Sequence, residues 1–227
     1  MNKKLPIIKI LLTLSVIVNI GNAAYILRQN AIDQRRKKAE AIRKYTCNRD
    51  QLYKVLSVSD SDFVFIGDSQ IQKFELNEFL GRNNLKNRGI DGDFCEGVYN
   101  RLNDAISGHP AKLFIEVGVN DVKRKTPLDT AMYYYNKILK KVKIVSPNTK
   151  IYYISILPCK LVDNVMLVSY NEGLKNLCQK NGITFINAYP EFNDNGRLRR
   201  VFDCGDDVHL SGEGYIALSS LIKPHLP

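Results

Sequence analysis

A chain of 227 residues leaves room for one domain of ordinary size plus an extension, and a composition that is 44% apolar and 25% charged can bury a core. The formal charge of +10 is unevenly spread, with 12 basic against 5 acidic side chains in residues 1–62 and 21 against 18 in residues 63–227. A groove that tracks phosphates needs its positive charge on the folded face, so the distribution argues against nucleic-acid binding.

The chain opens on Met1-Asn2-Lys3-Lys4, followed by Leu5 to Leu27, a largely apolar stretch interrupted by Lys9, Asn19 and Asn22. Its length and lack of amphipathic period predict a signal anchor or signal peptide over residues 1–27. Gly21-Asn22-Ala23 reads as a small-x-small cleavage site, yet the apolar run continues through Tyr25-Ile26-Leu27, which favours an uncleaved membrane anchor. The cations flanking the stretch conflict. Arg28, Arg35, Arg36, Lys37 and Lys38 after it outnumber Lys3, Lys4 and Lys9 before it, which would keep the domain cytoplasmic. A short basic N-terminus ahead of an apolar run reads instead as export. The expectation is an exported domain, membrane-anchored or periplasmic or extracellular, with the opposite orientation left open.

Residues 28–60 are rich in Ala, Arg, Lys, Glu and Gln, a helix-forming composition that predicts a basic juxtamembrane stalk. Ser57-Val58-Ser59-Asp60-Ser61-Asp62 is the loop that opens the domain, placed at 61–227. Phe63-Val64-Phe65-Ile66 is then an apolar strand stopped by Gly67-Asp68-Ser69. Taken alone, that stop is as well explained by a capped helix start, with Asp68 or Ser69 as the cap.

Further on, strands and helices alternate. A helix over 71–80 ends near Gly81, and a second strand lies at 85–90. A helix over 96–106 leads to a third strand at 112–118. The helix 128–145 is closed by Ser146-Pro147-Asn148, and the fourth strand, 151–157, is halted by Pro158. A helix over 164–181, a fifth strand at 183–187 and a last helix over 211–222 complete the chain. Strands joined by crossover helices specify a parallel sheet covered on both faces, so the fold class is α/β, a three-layer α/β/α sandwich of about five parallel strands preceded by the N-terminal hydrophobic helix.

Parallel strands deliver their carboxyl ends to one rim, where sites form in open α/β sheets. Four clusters fall there: Gly67-Asp68-Ser69, Asn87-Arg88-Gly89, Gly118-Val119-Asn120-Asp121 and, before the last helix, Asp206-Asp207-Val208-His209. A serine hydroxyl needs a base to take its proton, and that base needs a carboxylate to fix its tautomer. Ser69, His209 and Asp206 supply the set, with Asp203 and Asp207 as competitors for the acid. Tyr133-Tyr134-Tyr135 reads as helix packing, and Arg197, Arg199 and Arg200 as a solvated charge run.

In this order and at these intervals, the blocks resemble the SGNH subgroup of the GDSL esterases and lipases over about residues 63–226. The stretches Asn87 to Asp93 and His209 to Tyr215 look like the branch that holds platelet-activating-factor acetylhydrolase-like and carbohydrate O-acetyl esterases. The resemblance implies a flavodoxin-like SGNH hydrolase fold, with Ser69 as nucleophile, His209 as base and Asp206 as orienting acid. It also implies an oxyanion hole from the N–H groups of Ser69 and Gly89 and the amide of Asn120. Asp68, Gly118 and Asp121 are assigned structural roles.

The expected substrate is a short-chain acyl ester, most simply an acetyl ester of a carbohydrate, with no cofactor and with membrane contact through the N-terminal segment. The alternatives are an O-acyltransferase acting on cell-surface glycan, a lysophospholipase-like esterase, and a tethered glycan-binding module without activity. Five cysteines show no CxxC pair and no Cys/His ligand spacing, which argues against a zinc site. Their odd number leaves at least one thiol unpaired within the chain, and Cys159 with Cys204 is the first pair to check for a disulfide.

Overall fold

The computed structural model describes residues 4–227, with side chains in the first helix described for residues 16–37, 40 and from 49 onward. The chain divides into two units, Met1–Cys47 and Asn48–Pro227. Helix α1 (Lys4–Val55) supplies the described part of the first, where its apolar side chains from Val16 to Leu27 are exposed. Among the described residues no helix is long and apolar enough to cross a membrane. The side chains of residues 4–15, which carry the first half of the expected span, lie outside the described residues.

The second unit begins at Asn48, earlier than the boundary at 61 expected from composition. Tyr53, expected in a solvated stalk, is only 3% exposed. In chain order the unit continues with β1 (Phe63–Gly67), α2 (Ser69–Gln72), α3 (Leu76–Leu80), β2 (Leu85–Gly89), α4 (Cys95–Asn100), α5 (Leu102–Ile106), β3 (Lys112–Glu116) and α6 (Val119–Lys123). It is completed by α7 (Leu128–Val145), β4 (Lys150–Ile154), α8 (Asn164–Asn181), β5 (Thr184–Ile186), α9 (Tyr189–Phe192), the hairpin β6 (Asn193–Asp194) with β7 (Arg197–Leu198), and α10 (Gly212–Ile222).

The five long-range strands form one parallel sheet in the order β2-β1-β3-β4-β5. The order doubles back between β1 and β3, which is where an open α/β sheet leaves its crevice. Side chains alternate across the sheet. Val64, Ile66, Leu113 and Ile115 join one core under α4, α5, α7 and α8. Phe65 and Phe114 face the other, with residues of α2, α3 and α10. There Phe65, Phe114 and Tyr152 stack across three adjacent strands, with centroids 4.4 and 4.6 Å apart. Burial on both faces is why these strands read as unbroken apolar runs.

Candidate active site

The turn after β1 places Ser69 at the first position of α2, with Asp68 as its cap. Asp68 Oδ1 accepts from the Gln70 N–H at 3.1 Å, the contact that holds the loop at the helix start. Ser69 is 4% exposed, and its own N–H has no hydrogen-bond partner among the described residues, as befits the first turn of a helix.

The loop ahead of α10 brings His209 to this serine. His209 Nε2 lies 3.0 Å from Ser69 Oγ, and His209 Nδ1 lies 2.5 Å from Asp206 Oδ2. The other Asp206 oxygen accepts from the Val208 and His209 N–H groups at 3.0 and 2.8 Å. Burial works to raise the Asp206 carboxyl, but the hydrogen bonds from the His209 ring and the two backbone amides outweigh it and hold the group well below the usual carboxylate range.

The two competing acids are committed elsewhere. Asp203 Oδ1 accepts from the Gly205 and Asp207 N–H groups, and Asp207 pairs with Lys160 at 3.0 Å. Gln70 fastens the histidine loop to the serine turn, its side-chain amide donating to the Val208 carbonyl at 2.6 Å while its own carbonyl accepts from the Tyr215 hydroxyl at 2.9 Å.

Ser69 and His209 open into a cavity of about 110 Å³. Val119, Leu161, Val162 and Val208 give it apolar walls, and Asp91, Asn120 and Lys123 a polar side. Cys159 also lines it, as a thiol that burial pushes upward, and no disulfide joins it to Cys204 because both are free cysteines. One hydrogen of the Asn120 amide is taken by the Asp93 carbonyl at 2.9 Å, which leaves the second available toward the cavity. Asp121 accepts from the Cys95 N–H and thiol, tying α6 to the start of α4.

Gly89 does not fit the role expected of it. Its N–H donates to Asn87 Oδ1 at 2.8 Å, and a Cβ on it would stand 2.2 Å from the Gln72 nitrogen. Glycine is required there so that α2 can cross β2, and the amide is already engaged. The next glycine differs. The Asp93 N–H closes a turn onto the Ile90 carbonyl at 3.1 Å, and Gly92, at the third position with φ of 74°, keeps an N–H without a partner among the described residues. Gly92 is a free donor beside the cavity that the sequence reading did not single out. Its signal was the Asp-Gly pair, a turn mark, beside the Asp91 that lines the cavity.

The other residues singled out in the sequence stay outside this cluster. Tyr135 is buried and donates to the Val117 carbonyl, Tyr134 donates to Glu96, and Tyr133 is exposed. Arg197, Arg199 and Arg200 are exposed and do not line the cavity.

A family model described as the GDSL-like Lipase/Acylhydrolase family matches residues 65–217. A solved structure described as a candidate platelet activating factor from Streptococcus pneumonia is 25% identical, with a TM-score of 0.79 over 85% of this chain and 97% of its own. A GDSL-like lipase from Bacteroides thetaiotaomicron is 22% identical, with a TM-score of 0.67 over 81% of this chain and 96% of its own. A carbohydrate esterase family 3 structure from Talaromyces cellulolyticus is 16% identical, with a TM-score of 0.61 over 73% and 96%. No curated protein matches the sequence.

Proposed function

We propose, from the premise that this chain belongs to the GDSL-like lipase/acylhydrolase family and acts on ester bonds, that it is a serine esterase removing a short acyl group, most simply acetyl, from a carbohydrate. The observation that carries the reading is the hydrogen-bonded chain Ser69–His209–Asp206 at a cavity of about 110 Å³. That volume is well under the ~300–1,000 Å³ of a site for a drug-sized ligand, and its apolar walls suit a short acyl chain.

In this reading the Ser69 hydroxyl attacks the ester carbonyl while His209 Nε2 takes its proton, and Asp206 holds the imidazole in the tautomer that can accept it. The tetrahedral oxyanion accepts hydrogen bonds from the Ser69 N–H, the Gly92 N–H and Asn120 Nδ2. Each such donor is worth on the order of 10²–10³ in rate, because it is already aimed where charge develops. His209 returns the proton to the departing alcohol oxygen, and water, activated by the same base, then releases the acyl group from Ser69. The carbohydrate alcohol is favoured over a lipid by the polar side of the cavity, Asp91, Asn120 and Lys123. The carbohydrate esterase among the similar folds agrees with it.

The test is hydrolysis of acetylated sugars against esters of longer acyl chains by the full chain and by Ser69→Ala. The acetyl esters turn over fastest, and the substitution removes on the order of 10⁶ of the rate where the nucleophile acts as part of a triad. An unchanged rate in Ser69→Ala, or a preference that climbs with chain length, defeats the reading.

A further inference from the structure

The last turns of α1 reach the turn that carries Gly92. The buried Tyr53 hydroxyl donates to the Gly89 carbonyl at 2.8 Å, and Arg49 Nε reaches the same oxygen at 3.2 Å. Arg49 also donates to the Tyr53 hydroxyl, and its guanidinium lies 5.2 Å from the centre of the Tyr53 ring. Arg88 stacks on the same ring at 5.0 Å and donates to the Leu56 carbonyl at 3.2 Å. These residues all belong to the unit Asn48–Pro227, so the contact is internal to one body.

The consequence follows from peptide geometry. The Gly89 carbonyl and the Ile90 N–H belong to one rigid plane. The Ile90 N–H donates to the Gly67 carbonyl at 3.0 Å, two residues before Ser69 in the chain. With Tyr53 on its other edge, the plane is held from both sides, and its orientation fixes the base of the turn from Ile90 to Asp93. Downstream, the Asp91 N–H is held by Gln72 Oε1 at 2.7 Å and the Asp93 carbonyl by Asn120. Every support leaves the Gly92 N–H unengaged.

We propose that Tyr53, assisted by Arg49, is a positioning residue for the oxyanion turn, so that the end of the first helix is part of the working site rather than a spacer. The inference rests on the esterase reading above. Tyr53 touches no reacting atom and acts through the Gly89–Ile90 peptide. Oxyanion stabilisation depends on donors fixed before charge develops, so a loosened turn lowers kcat while substrate binding is kept.

The experiment uses the full chain with Tyr53→Phe, with Arg49→Met, and with both. Each is assayed on a short-chain aryl acetate, active sites are counted from the acyl-enzyme burst, and backbone hydrogen exchange is measured in parallel. Loss of a buried hydrogen bond predicts kcat per titrated site about 5- to 10-fold lower in Tyr53→Phe. The double variant falls further, with KM within about twofold. A boronic acid that forms a tetrahedral adduct on the serine weakens by the same factor as kcat, and the Ile90 amide exchanges faster. A purely structural role would lower the burst amplitude and the melting temperature while leaving kcat per site and boronate affinity at wild-type values, and that result overturns the proposal. Should Tyr53→Phe fold poorly, Arg49→Met decides on the same two readouts. Absence of any Ser69-dependent hydrolysis by the wild-type chain refutes the esterase reading instead, and unchanged Ile90 exchange in the variants then refutes the positioning contact separately.

Discussion

Gly89 and Gly92 stand in one turn and are glycine for opposite reasons, and substitution by alanine separates them. A Cβ on Gly89 meets the backbone of α2, at 2.2 Å from the Gln72 nitrogen and 2.6 Å from its Cα. Neither atom can give way without moving the helix that begins at the nucleophile. A Cβ on Gly92 meets nothing within 4 Å, so its cost is the left-handed backbone alone, about 1–2 kcal/mol. Gly89→Ala is therefore expected to abolish cooperative unfolding or lower the melting temperature severely, whereas Gly92→Ala melts as a folded protein with a modest drop. Thermal melts followed by circular dichroism check both, and equal losses would refute the distinction. That Ser69, Asn120 and His209 meet at one cavity, with Asp206 on His209, was legible in the sequence because their residue types suit such a cluster. The choice between the two glycines was not, because it depends on which N–H is already taken and on how closely a distant helix crosses.

At the scale of elements, the five strands were readable since burial on both faces makes each an apolar run, and the helices were readable in place but not in continuity. The helix expected over 71–80 is α2 and α3, because the Asn87 side chain takes the Ile71 and Phe74 carbonyls at 2.6 and 3.1 Å. The helix expected over 96–106 breaks at Arg101, whose guanidinium is drawn to Asp93 at 2.7 Å, the Arg88 carbonyl at 2.6 Å and the Gly67 carbonyl at 2.9 Å. Such breaks are written in long-range hydrogen bonds, which no local pattern records. Arg101 thus joins the exits of β1 and β2 to the turn that carries Gly92. Removing it leaves Asp93, 8% exposed, without its cation, and burial already raises that carboxyl against the pull of Arg101. Arg101→Met is expected to cost about 3–5 kcal/mol, the range for breaking a buried ion pair from one side. Adding Asp93→Asn recovers part of it. Urea midpoints of the three proteins measure the effect, and a loss below about 1 kcal/mol in the single variant, within the range of an exposed pair, would show the pair to be dispensable.

For the molecule as a whole, the dependence of stability on pH is set by a few buried groups more than by the net charge of +10. Asp68 and Glu116, both fully buried at the carboxyl ends of β1 and β3, lie against each other, and Asp68 Oδ2 and both Glu116 oxygens have no hydrogen-bond partner among the described residues. Burial raises both, Asp68 to about 7 and Glu116 well above its ordinary 4.5, so the folded state keeps a proton on this pair that the unfolded chain gives up. The sign follows: this contribution is greatest below the ordinary carboxylate values and is lost as pH rises toward and through the folded ones. The loss reaches about 1.4 kcal/mol per proton for each pH unit of the window. Asp206 does not compete: it is depressed, so its contribution is already complete above the ordinary value and adds no slope between pH 5 and 8. The buried pair carries the fall. Glu116→Gln keeps a donor toward Asp68 without a titrating proton, so the wild-type urea midpoint is expected to fall from pH 5 to pH 8 and that of Glu116→Gln to fall less. Parallel midpoints for the two proteins would mean that the proton is not held on this pair.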